Sequence, residues 1–287
     1  MILQPSFLKE RIAYFRQHRF VRDVVFMQST AAMGSFSQAL FGIFIARILQ
    51  PELYGMYAVA FSLAALIFIT TGVQETITVV IGGTYAQNDR ERTIDALAFF
   101  FKFTVFFSVV TLIVTLFLPE IGKIFYHDAR VGVYAAIVVL AAIISSFAFS
   151  MVSMILQVSG RIKEMALLGL GDQILRASLA VALVASGYGI LGAAIGNLIG
   201  AMIICVISII IWHFTVRTHL IFPSWAELMR RSKVIQRSKH LSSSILVAVD
   251  KNIGALYTIL PVLLAGIYLS SSEVTYFKLA FGFIMLA

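Results

Sequence analysis

Residues 177–216 read ASLAVALVASGYGILGAAIGNLIGAMIICVISIIIWHFTV, forty positions without a single Asp, Glu, Lys or Arg. A hydrocarbon core of about 30 Å needs ~20 residues of helix, so forty are too many for one crossing and enough for two. Gly187-Tyr188-Gly189 supplies the break between them. Because no water reaches the hydrocarbon region, only helices or a closed barrel satisfy their backbone there, and continuous apolar runs without period-two alternation select helices.

Working outward, the same length test gives spans at about 24–48, 53–80, 96–118, 131–156, 165–186, 190–214 and 241–269. Gln50-Pro51-Glu52 forms a tight turn between the first two, a polar loop runs from Gly82 to Asp95, Pro119 ends the third, and Pro261 kinks the seventh. Glu273 to Ala287 is an apolar start of an eighth span, too short to cross, so the chain reads as part of a longer one. Tyr57-Ala58-Val59-Ala60-Phe61 matches Phe277-Lys278-Leu279-Ala280-Phe281 at an offset of 220 residues. In this register the seventh and eighth spans repeat the first and second as parallel repeats, an arrangement in which transporters hold substrate between their halves. The expected fold is an all-α polytopic membrane protein. Its expected parts are an amphipathic N-terminus at 1–23, a complete six-helix lobe at 24–216, a basic linker at 217–240 and the first one to two helices of a second lobe at 241–287.

Composition agrees: 60% of residues are hydrophobic and 13% charged, with a mean hydropathy of +0.95. The net charge of +8 invites a nucleic-acid reading, which the placement of the basic residues answers. Lys9, Arg11, Arg16, Arg19, Arg22, Arg90, Arg92, Arg161, Lys163, Arg217, Arg230, Arg231, Lys233, Arg237 and Lys239 fall on one side, against Arg47, Lys123 and Arg130 on the other. The positive-inside rule accounts for the charge, puts the N-terminus in the cytoplasm of a cell membrane, and leaves no call for nucleic acid. Phe7, Leu8, Ile12 and Phe15 among Lys and Arg fit a helix lying on the anionic inner leaflet. Val24 to Ala46 ends at Arg47 without a cleavage site, and Cys205 sits alone in an apolar run.

An ionised side chain near the bilayer centre costs at least ~2.5–3.5 kcal/mol, so each calls for a partner or a wet cavity. Asp172 and Arg176 lie four apart on one helix face, about 12 and 18 Å along from Glu164. They read either as a structural pair or as cavity lining. Asp250, Lys251 and Asn252 make a second patch, about 14 Å into the seventh span, with adjacent side chains about 100° apart. Lys102 and Glu75 lie near the inner ends of their spans, where snorkelling competes with a cavity role, and Arg47 stands near the outer end of the first. Gly192, Gly196 and Gly200 form a helix-packing ladder, and the aromatic run Phe99 to Phe107 reads as lipid-facing bulk. The histidines are scattered, and no H-E-x-x-H, P-loop or G-x-S-x-G pattern occurs, so no metal, cofactor, ATP hydrolysis or proteolysis is expected.

The run from Ala46 to Ala60, ARILQPELYGMYAVA, resembles the signature of the polysaccharide-transporter family, the Wzx-type oligosaccharide flippases, which reads A-R-x-L-G-P-E-x-Y-G-x-Y-x-x-A. Leu156 to Lys163, LQVSGRIK, is similar to that family's L-Q-G-x-x-R-x-K turn, and the chain around Asp250 and from Glu273 to Ala280 is similar to its seventh and eighth helices. Gln50 and Thr275 stand where the family usually has Gly. The resemblance implies the multidrug/oligosaccharidyl-lipid/polysaccharide exporter fold, a MATE- or flippase-like bundle of two lobes. It also implies outward movement of a polyprenyl-pyrophosphate-linked oligosaccharide for surface polysaccharide, beside polysaccharide-assembly membrane proteins. On that reading Arg47, Lys102, Arg176 and Lys251 attract the pyrophosphate, and Glu75, Asp172 and Asp250 bind a coupling ion. A multidrug or peptidoglycan-precursor exporter shares the fold. A membrane glycosyltransferase or polymer ligase would be an enzyme with a large outer loop, whereas the outer loops here are short.

Overall fold

The structure, a computed structural model, describes residues 19–67, 71–234 and 238–286, so the expected amphipathic N-terminus lies almost wholly outside the described residues. The described chain forms helices α1 (Arg19–Ile67), α2 (Thr71–Ala86), α3 (Arg90–Thr115), α4 (Leu118–Tyr126), α5 (Ala129–Val158) and α6 (Ile162–Leu183). A π-helical turn at Val184–Tyr188 follows, then α7 (Gly189–Thr218), α8 (Trp225–Val234), α9 (Ser238–Tyr268) and α10 (Ser271–Leu286). The stretches long and apolar enough to cross a membrane are Val21–Ile67, Arg90–Thr115, Ala129–Val158 and Ile162–Thr218, with Ile253–Tyr268 a shorter apolar helix. At 47 and 57 residues, the first and last of these each hold two crossings. The breaks fall where the sequence places them: at Gln50, and at Gly187 and Gly189, whose φ values are +92° and +56°.

Two boundaries differ from expectation. Helix α2 runs through Gly82 and Gly83 to Ala86, and α3 starts at Arg90, so the polar loop shrinks to three residues. Asn88 takes a left-handed φ of +57°, and the Asp89 carboxylate accepts a hydrogen bond from the Arg92 backbone N–H to cap α3. Pro261 lies inside α9, which continues on either side of it. Two short helices also appear in segments that read as loop. These are α4, with Pro119 in its first turn, and α8, within the basic linker.

Helix α8 is docked rather than free. Trp225 packs on Trp212, with ring centroids 4.6 Å apart, and also meets Phe147 and Phe101. Arg90 donates two hydrogen bonds to the Glu227 carboxylate at 2.8 and 2.9 Å, and Arg231 reaches Asp95 at 2.5 Å and Glu91 at 2.9 Å. Phe99, Phe100 and Phe101 are therefore core residues and not lipid-facing; only further along α3 does Phe106 turn outward. This core, with Ile77, Leu97, Met154, Trp212 and Leu228, closes the end of the bundle that carries the basic loops. A second core at the opposite end joins Val59 and Leu63 of α1, Leu118 of α4, Val139 of α5, Leu263 of α9 and Val274 of α10.

At that far end the two matching segments meet. Thr275 Oγ1 donates to the Pro51 carbonyl, and Gly55 lies so close to α10 that a Cβ there would stand 1.9 Å from the Ser271 carbonyl oxygen. A capping box starts α10: Ser270 N–H and Oγ both donate to Glu273 Oε2 at 2.8 Å. Gln50, by contrast, starts its helix at φ +65°, ψ +161°, a region essentially reserved for glycine, where other residues carry about 1–3 kcal/mol of strain. Gln50→Gly removes that strain at an unfolded-state entropy cost of about 0.4–1 kcal/mol, so a net gain of roughly 1 kcal/mol is expected. Thermal unfolding in detergent should show Tm rising by ~2–4 °C; a lowered Tm would mean that the Gln50 side chain holds the junction.

Candidate functional site

Asp172, Gln173, Arg176 and Asn197 lie together at the meeting of α1, α6 and α7. Asp172 and Arg176, one turn apart on α6, bond through Arg176 Nε and Asp172 Oδ1 at 2.5 Å. The sequence places them on one face; what it does not give is the third member. Arg176 Nη1 donates to Asn197 Oδ1 of α7 at 3.1 Å, so the guanidinium bridges two helices. Counting from Ile162, Asp172 lies about 15 Å and Arg176 about 21 Å along a helix of roughly 33 Å. The pair is 18% and 17% exposed, neither sealed in the core nor fully open.

The glycine ladder makes this reach possible. A Cβ on Gly200 would stand 2.8 Å from Arg176 Cγ, and one on Gly196 would stand 2.6 Å from the Ala180 backbone nitrogen. The α7 backbone therefore lies directly against α6, and the register of that contact puts Asn197 opposite Arg176. From the other side α1 brings Gly34, where a Cβ would come 2.1 Å from Gln173 Oε1, a buried oxygen with no hydrogen-bond partner among the described residues. Asn197, Gln173 and Gly34 were missed in the sequence. Asn197 was the detectable one, as a lone amide within the uncharged forty.

The other sequence candidates are not drawn into this cluster. Lys102 is half-buried on α3 and, because α3 starts at Arg90, lies about 18 Å along it, deeper than snorkelling from the near interface suggests. Glu75 is exposed on α2, four residues past its start at Thr71 and about 16 Å from its end at Ala86. Arg47 is exposed, three residues before the Gln50 break, and makes no hydrogen bond or ion pair with a described residue. Asp250 and Lys251 fall within α9, but their side chains lie outside the described residues. Lys278, half-buried on α10, is a further intramembrane cation that the sequence reading left without a role.

Among the described residues, four stretches are long and apolar enough to cross a membrane, and an ion pair at mid-depth of one of them is the kind of intramembrane charge that marks a functional site. The chain belongs to the polysaccharide biosynthesis protein family, whose pattern matches residues 44–287. No curated protein matches it. Its fold is that of MATE transporters of the MOP superfamily. An inward-facing conformation of a multidrug resistance MATE family transporter of that superfamily superposes with a TM-score of 0.64 at 17% identity, over 91% of this chain and 61% of that one. An outward-facing conformation gives 0.50 at 19% identity over 91% and 64%, and a MATE in complex with Br-NRF gives 0.54 at 18% identity over 92% and 67%. The chain thus spans less than two thirds of the length of the first two transporters.

Removing one partner of a buried pair leaves an uncompensated charge, which is worse than removing both. Arg176→Gln is therefore expected to destabilise the protein by about 1–3 kcal/mol, discounted from the fully buried case for the pair's partial exposure, and Asp172→Asn/Arg176→Gln by less than that. Thermal unfolding of the purified single and double variants checks the order. A double variant less stable than Arg176→Gln alone would refute the coupling.

Proposed function

We propose that this chain is part of an exporter that moves a polyprenyl-pyrophosphate-linked oligosaccharide outward across the cell membrane by alternating access, with its basic loops and N-terminus in the cytoplasm. The observation that carries this reading is the half-open Asp172–Arg176–Asn197 cluster at mid-depth of a polysaccharide-family bundle. A guanidinium in a low-dielectric setting binds a diphosphate through paired, charge-assisted hydrogen bonds, and the glycan requires only a wet passage. The sequence pattern of a polysaccharide family favours a glycan cargo over the drugs named for the MATE structures.

In this scheme Asp172 and the substrate compete for Arg176. Protonation of Asp172 releases the guanidinium to the pyrophosphate; ionisation of Asp172 takes it back and expels the anion. Proton and substrate are then coupled through one side chain, and reciprocity follows from linkage. Arg47, Lys102 and Lys251 offer further positive charge along the route, and Glu75 and Asp250 further ion-coupling groups. No step makes or breaks a covalent bond, so this reading assigns a carrier and no enzyme.

Arg176→Ala is expected to cut export at least tenfold while the protein still reaches the membrane, with untransported lipid-linked oligosaccharide accumulating on the inner leaflet. Export and leaflet accumulation are measured together in cells carrying the variant as their sole copy. Wild-type export by Arg176→Ala rejects the assignment.

A further inference from the structure

Helix α8 has two faces of different character. Leu228 is fully buried, Trp225 enters the core, and Glu227 and Arg231 pair with Arg90, Asp95 and Glu91 on the inner face. Ala226, Met229, Arg230 and Lys233 are exposed on the outer face, which holds no acid. Arg217, at the end of α7, is also exposed, and neither it nor Arg230 nor Lys233 makes a hydrogen bond or ion pair with a described residue. Nearby acids are already engaged: Glu227, Glu91 and Asp95 as above, Asp89 with Arg92, and Glu164 with Arg161. The surface left over is cationic.

Its depth indicates what it meets. Arg231 reaches Asp95, five residues past Arg90 and so about 8 Å along α3, which puts α8 beside the first turns of a crossing helix, at the level of lipid headgroups. Leu220 is 82% exposed while its carbonyl is held by Arg90 Nε at 2.9 Å, and with Met229 it adds an apolar fringe to the charge. Cations beside outward apolar side chains at headgroup depth are the pattern of an interfacial helix. We propose that the outer face of α8, together with Arg217, is a binding surface for anionic lipid headgroups, with Arg217, Arg230 and Lys233 contacting the phosphates and Leu220 and Met229 the upper acyl chains. This surface does not depend on the substrate reading; a chain that carried some other cargo would keep it.

The test uses the full chain reconstituted in phosphatidylcholine vesicles with spin-labelled phosphatidylglycerol or spin-labelled phosphatidylcholine, the motionally restricted fraction giving their relative association. Wild type is expected to prefer phosphatidylglycerol by about threefold or more at low salt and to lose much of that preference at 0.5 M salt, roughly as screening dictates. Arg217→Gln/Arg230→Gln/Lys233→Gln is expected to bring the preference close to one, while Lys123→Gln, at the far end, leaves it unchanged. Should the triple variant fail to insert, Arg230→Gln and Lys233→Gln singly must each lower it. A wild-type preference in the triple variant, or equal loss in Lys123→Gln, overturns the proposal.

Discussion

Backbones that touch at glycine are the constraint on which this bundle depends. Lipid tails are as apolar as leucine, so helices in a membrane gain little by hiding apolar side chains from each other and must gain from close packing and hydrogen bonds instead. Here α7 lies on α6 at Gly196 and Gly200, α5 lies on α4 at Gly132, where a Cβ would stand 1.9 Å from the Leu118 carbonyl oxygen, and α1 lies on α10 at Gly55. Each contact fixes a register, and the registers place the polar groups. Asn197 meets Arg176 because Gly200 lets α7 come close; Thr275 meets Pro51 because Gly55 lets α10 do the same. A methyl group at any of these glycines would act on the polar network as much as on the packing.

Charge is distributed in two regimes. At the basic end the ion pairs are largely exposed, each worth little alone, and their effect is to hold α8 against the lobe as a network around a tryptophan. At mid-depth the Asp172–Arg176 pair stands where a lone charge would be expensive, held by a hydrogen bond from Arg176 to a neighbouring helix. The first regime organises a surface, and the second ties two helices together within the span.

How much of this was legible in the sequence depended on the range of the interaction. The all-α, apolar character, the break at Gly187 to Gly189 and the Asp172–Arg176 pairing are set by composition or by spacings of a few residues and were readable. The α2 end was misplaced because Gly82-Gly83 signals a loop in water, whereas glycine within a helix is tolerated in a membrane, where no water competes for the backbone. The matching error at the start of α3 set Lys102 too near the end of its helix. Helices α4 and α8 are short, and what holds α8, such as Arg231 on Asp95 across 136 residues, leaves no local trace. One signal went unused: Ser270-x-x-Glu273 is a capping box that marks the start of α10.

The chain has two tryptophans, and they lie against each other, Trp212 on α7 and Trp225 on α8. Its indole emission therefore originates from a single spot beneath the bundle. A change in colour or intensity reports whether the short helix has lifted from the lobe, while the junction of α1 with α10, lined by Tyr and Phe, moves unseen at the same wavelength. The protein thus carries an optical label for one of its two ends and needs one added for the other.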